Sequence, residues 1–168
     1  MPLSIYQVSV PIFVQLLTSL SAVLDKGVAH AEAHKIEPSV LLTMRLYPDM
    51  YSLTRQVQQA TSHPVRISAA LTGTTPLELP NTETTFPELQ ARIAKTIVFI
   101  ETIKPEQVDG CEEKNIHLKL GTREVDWKGM QYLLGFALPN FYFHVATAYD
   151  ILRHNGVEIG KRDYIGNP

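Results

Sequence analysis

Between residues 53 and 71 the side chains Leu53, Val57, Ala60, Pro64, Ile67 and Leu71 follow one another at intervals of four and three without a break. Only a helix returns such positions to one face, so the spacing predicts a helix with a buried seam. That seam needs other helices to bury against. Three further segments carry the same signal. Ile5, Val8, Ile12, Leu16, Leu20, Val23 and Leu24 line a segment from Ser4 to about Lys35. Phe86, Leu89, Ile93, Ile97 and Ile100 line another that ends near Ile103, before Pro105. Leu133, Ala137, Ala148, Ile151 and Leu152 line the last, from Lys128 to Asn155. Four amphipathic segments in one chain predict a mainly all-α fold, an up-down four-helix bundle.

Local residues set the expected ends. Ser4 is expected to cap the first helix, and Pro11 to kink it or mark a second start, because proline lacks the N–H an interior position needs. Residues 36–48 are expected to connect, with a short helix at Val40 to Leu46. Asp49, after Pro48, is expected to cap the second long helix, with a kink near Pro64 and an end at Gly73. Residues 74–84 form a polar loop. Thr85-Phe-Pro-Glu88 matches a capping box, in which the Thr side chain accepts from the third amide and the Glu reaches back. From Asp109 to Gly129 the period changes. Ile116, Leu118 and Leu120 alternate with polar residues, Gly121-Thr122 supplies a turn, and Val125 and Trp127 alternate on the return. This predicts a small β-hairpin before the last helix, lying against the helices, with His117 facing solvent. Pro139 predicts a kink in the last helix and Asn155-Gly156 its end; the tail is expected to pack back across the bundle.

The length of 168 residues fits one domain, 1–168, with a core that needs no disulfide. A formal net charge of −2 supplies no basic footprint, so nucleic acid is not an expected partner. The single Cys111 allows neither an internal disulfide nor a multi-cysteine zinc site, and its acidic surroundings, DGCEEK, disfavour a thiolate nucleophile. Residues 5–24 are apolar but carry Gln7, Gln15 and several Ser and Thr. No basic leader or cleavage pattern accompanies them, so neither a signal peptide nor a membrane span is expected. A cytoplasmic protein is the expectation.

Asn140 and His144 stand four apart within the apolar stripe of the last helix, so both are expected to face inward. Buried polar groups need partners, a water or a ligand, which makes this pair the main functional lead. Gln56, Gln59 and His63 flank the seam of the second long helix, and one or two could edge into the core. His30 and His34, also four apart, sit where a helix ends, without the His-Glu-x-x-His pattern of a zinc protease. Their expected place is a solvated end that favours the helix dipole.

The run GFALPNFYFHVATAYDILRHNGVEIGKRDYIG, with SIYQVSVPIFVQLLTSLSAVLDK and RLYPDMYSLTRQVQ, resembles an uncharacterised family within the DinB/YfiT-like superfamily, across essentially the whole chain. The resemblance implies a DinB-like four-helix bundle, often a homodimer. It also implies two kinds of chemistry. Some members bind a divalent metal through three histidines, two on the last helix and one on the second; others work with low-molecular-weight thiols, as in thiol-dependent S-transferases and maleylpyruvate isomerase. Against that pattern His144 matches the second histidine of the last-helix pair, but Asn140 stands at the first. On the second helix Gln56 or Gln59 stands at the matching depth, with His63 about a turn late. A zinc or nickel ion is therefore not expected, His144 and His63 being the weak candidates, and no cofactor is expected.

Two functions follow as expectations. In the first, the core binds a small organic molecule. His144 acts as general acid or base, Asn140 orients the ligand, and Tyr6, Gln56, Gln59, Tyr142 and Trp127 form pocket walls; isomerisation or proton transfer is the reaction class. A core histidine satisfied by Asn140 or a hydroxyl is the plainer alternative for His144. In the second, the protein is a non-enzymatic homodimer or interaction bundle. The consecutive aromatics Phe141, Tyr142 and Phe143 cannot all face one core, and at least one should emerge. A degenerate metal-dependent thiol transferase is the remaining alternative.

Overall fold

The structure, a computed structural model, describes residues 3–166. Four long helices dominate: α1 (Val10–His34), α3 (Leu53–Thr72), α4 (Phe86–Glu101) and α7 (Leu138–His154). Short helices α2 (Pro38–Thr43) and α5 (Pro105–Val108) lie in the connections. Strands β1 (Asn115–Leu120) and β2 (Arg123–Lys128) form an antiparallel hairpin, and α6 (Gly129–Tyr132) leads from it toward α7. Helix α8 (Lys161–Ile165) closes the tail. The long helices pack as a ring: α1 touches α4 and α7, and α3 touches α4 and α7. Thus α1 and α3 face each other across the diagonal.

The seam of α3 is buried from Leu53 to Leu71 throughout. The helix passes through Pro64 without ending, and Gly73 stops it in the left-handed region, at φ 78°. On α4 the capping box forms as expected, Thr85 Oγ1 accepting from the Glu88 N–H and Glu88 accepting from the Thr85 N–H. Its inner face differs from the expected one: Thr96 takes the buried place and Ile97 is only half-buried. Several expected ends shift too. Helix α1 begins at Val10, so Pro11 falls in the first turn, where its missing N–H costs nothing. Ser4 caps a preceding turn, accepting from the Gln7 N–H and donating to Asp109. Ser52, not Asp49, caps α3, because its hydroxyl is the one that reaches the Arg55 N–H. The connecting helix starts at Pro38, whose fixed φ suits a first helical turn.

By length and composition α1 could cross a bilayer. In the fold its apolar stripe, from Phe13 to Ala31, is buried within the bundle. The hairpin turns at Gly121-Thr122, with Gly121 at φ 62° and Leu120 paired to Arg123. Its base is held by Ile116, which is buried, and by Trp127, which stacks on Phe136 at 5.1 Å. His117 points out and pairs with Asp126.

The last helix does not kink simply at Pro139. Residues Leu133–Ala137 form a π-helical turn, with the Leu138 N–H reaching the Leu133 carbonyl, and Pro139 falls in the first turn of α7. One extra residue is thereby absorbed ahead of the proline.

Candidate functional site

The site forms where α3 and α7 run antiparallel. On α3, Gln56, Gln59 and His63 step by three and four along one face. His144 enters opposite them from α7 and is 8% exposed. Residues seven apart on a helix are separated by about 10 Å along its axis. One imidazole entering between them can therefore reach both. Its Nδ1 lies 2.7 Å from Gln56 Oε1, and its ring stacks on His63 with centroids 5.2 Å apart and planes 19° from parallel. On the other face lies Tyr51, at 6.3 Å and 17°. Phe143 meets the ring edge-on at 5.4 Å.

The hydrogen bonds fix the tautomer. Gln56, 1% exposed, donates through Nε2 to the Tyr51 carbonyl at 3.3 Å, which leaves Oε1 facing His144. An amide oxygen only accepts, so His144 Nδ1 carries the proton. Burial, and then the charge of Arg55, lower the His144 pKa from 6.5 to about 4. The ring is neutral at pH 7, with an unshared pair on Nε2. That nitrogen has no hydrogen-bond partner among the described residues, yet it is not a sealed-off orphan atom. It is open to solvent. His63 is likewise lowered to about 4, by burial first, then by His144 and Arg66.

Asn140 is half-buried, and its Nδ2 donates to the Phe136 carbonyl at 2.7 Å, within the stretch disturbed by the π turn. The expected pairing of Asn140 with His144 is absent; Gln56 satisfies His144 instead. Gln59 lies half-buried between Gln56 and His63 on the α3 face. His63, expected a turn too late, does reach the site, because the stack lets His144 lean along α3. Three expected walls lie elsewhere. Tyr6 lines a separate cavity of about 910 Å3 between the start of α1 and the tail, with Val14, Arg162 and Gly166. Tyr142 faces the tail, close enough to Tyr164 to help raise its pKa. Trp127 stays with the hairpin, against Phe136 and Tyr132. A second cavity, about 510 Å3 between α1, α2 and the start of α4, also excludes His144. The site is a seam between two helices, not a chamber on the bundle axis.

A three-ligand metal centre does not fit these residues. Gln56 occupies the α3 position facing His144, Asn140 spends its amide on backbone, and His63 offers His144 a ring face instead of a converging lone pair. No cluster of three His, Cys, Asp or Glu side chains among the described residues could hold an ion.

Two residues of the site escaped the sequence reading. Tyr51 packs on His144, and Arg55 lies over Tyr51, its guanidinium carbon 5.5 Å from the ring centroid. The signal was their spacing of four across the start of α3. Behind them lies a buried ion pair. Arg92, deep on α4, donates to Thr61, Ser62, Glu83 and the carbonyls of Pro80 and Gln58. Gln58 links this group to the site, donating to Glu83 and accepting from Arg55.

A family model described as a domain of unknown function (DUF1993) matches residues 5–165. The fold is also that of a crystal structure of a DinB family member protein from Shewanella denitrificans. That chain is 37% identical, the match covers 97% of this chain and 92% of that one, and the TM-score is 0.88. No curated protein matches the chain.

Proposed function

The chain belongs to the family of this domain of unknown function (DUF1993), and from that premise we propose that it binds a small organic molecule at the α3–α7 seam, His144 receiving a hydrogen bond or a proton from the ligand through Nε2. One observation carries this: Gln56 holds the proton on Nδ1, which leaves Nε2 as a fixed acceptor without a partner among the described residues. A ring wedged between Tyr51 and His63 need not reorient to use it, which favours recognition. Isomerisation or proton transfer on an acidic substrate is the reaction class. A base with a pKa of about 4 takes a proton only from a comparably acidic donor. Metal has no place in this reading, since one imidazole edge and two carboxamides make a poor donor set.

The test is nitrogen NMR of the His144 ring at pH 7, followed by a screen of small organic molecules against wild type and His144→Gln. Protonated Nδ1, with hits that shift Nε2 and vanish in the variant, is the expected result. A protonated Nε2, or hits indifferent to the substitution, would overturn the reading.

A second reading, a homodimer, is favoured by aromatics left in water: Phe143 is 54% exposed, Tyr51 48% and Tyr47 66%. Exposed rings of this size suit a protein contact. Sedimentation at micromolar concentration should then give twice the monomer mass, and Phe143→Ser should halve it. A wild-type monomer at that concentration would dismiss the dimer.

A further inference from the structure

We infer that the ligand of the α3–α7 seam is an organic anion, a small carboxylate whose charge is met by Arg55 while its polar hydrogen meets Nε2 of His144. This rests on the binding site proposed above and adds the class of ligand.

The argument is one of unbalanced charge. Arg55 is half-buried in the first turn of α3, where no acidic residue accompanies it. That is the end of a helix that already carries positive partial charge, so a cation is out of place there and an anion is favoured. Among the described residues no carboxylate lies within ion-pair distance of Arg55. The one hydrogen bond its guanidinium makes among the described residues is to a neutral acceptor, Gln58 Oε1, at 3.2 Å. The nearest acid in that network, Glu83, is bound to Arg92 at 2.8 Å. Two arginines against one glutamate leave one positive charge.

Farther along α3, Arg66 stands three residues past His63, exposed, and also without a carboxylate partner among the described residues. Thus Arg55, Gln59, His63 and Arg66 share a strip of α3 bounded by cations and holding no acid. Opposite this strip is a nine-tenths buried imidazole with one nitrogen that has no partner among the described residues. A guanidinium holds a carboxylate with two parallel hydrogen bonds, and that of Arg55 spends only one N–H on the described residues. The rims of the site are Tyr51 and Phe143, which suit a flat or aromatic body.

The experiment titrates the full chain with the 3-hydroxy derivatives of benzoate, benzamide and benzylamine, called below by their parent names, three probes of similar shape that each offer a phenolic hydrogen to Nε2 and differ in charge. Side-chain NMR signals of His144 and Gln56 locate binding, and circular dichroism checks the fold of each variant. Benzoate should bind at least ten times more tightly than benzamide, with benzylamine weaker still. Arg55→Gln should bring the benzoate-to-benzamide ratio to within a factor of two, and Arg66→Gln should lower it less. If benzamide or benzylamine shifts His144 as readily as benzoate, the anion assignment fails while the binding site stands. If none of the three moves His144 or Gln56, both fail.

Discussion

Lowering the pH from 7 to 5 should cost this protein about 2 kcal/mol of stability through His144 alone. In the unfolded chain the imidazole takes its proton near pH 6.5; in the folded protein it refuses until about 4, because burial and the Arg55 charge penalise the cation. Between those values the unfolded state binds more protons, so stability falls as the pH falls. The whole shift corresponds to about 3 kcal/mol, of which roughly two-thirds is spent by pH 5. His63, also lowered to about 4 by burial first, acts in the same direction. His117 acts in the opposite direction. Asp126 raises its pKa, so its contribution is complete below pH 6.5 and is lost as the pH rises through the raised value. Urea unfolding at pH 7 and pH 5, on wild type, His144→Gln and His117→Asn, separates these contributions. The glutamine variant should lose about 2 kcal/mol less than wild type on acidification, whatever its stability at pH 7. An equal loss in the two proteins, or an NMR titration of His144 near 6.5, would refute the claim that the ring is buried and neutral.

Three other substitutions test the frame around the site. Arg92→Met should cost about 3–5 kcal/mol, because it leaves Glu83 and several oxygens without their partner; urea midpoints measure it, and a cost under about 1 kcal/mol would remove the buried ion pair from the account. Gly129→Ala should cost about 2–3 kcal/mol, since its Cβ would overlap the Cys111 carbonyl oxygen; an unchanged melting temperature would show that the loop between α5 and β1 approaches α6 less closely. Thr85→Ala should remove about 1 kcal/mol by deleting the α4 cap, again by urea midpoint, and a neutral result would mean that the capping bond contributes nothing net.

The frame was legible in the residues because its signals are local. A four-and-three stripe exposes a seam, Thr85 with Glu88 exposes a cap, and a change to alternation exposes a hairpin. Inward-facing His144 was legible for the same reason. Its partner was not, because Gln56 and His144 are 88 residues apart and their pairing depends on how two helices lean together. Tyr6 and Tyr142 show the same limit: both were expected as pocket walls, but packing of the tail gives both a different neighbourhood. Arg92 was hidden for another reason. A charged residue on a helix is ordinarily solvated, and nothing near it in sequence announces the loop oxygens that bury it.

The π turn at Leu133–Ala137 couples two parts of the molecule by angle. Upstream, the hairpin fixes one half of the rod through Trp127 on Phe136; downstream, His144 must meet Gln56. Removing a single residue between them would restore ordinary winding and rotate one half against the other by about 100°. Either the hairpin would lose its seat or His144 would swing off α3. The additional residue therefore works as a phase setting, keeping two distant anchorages in step.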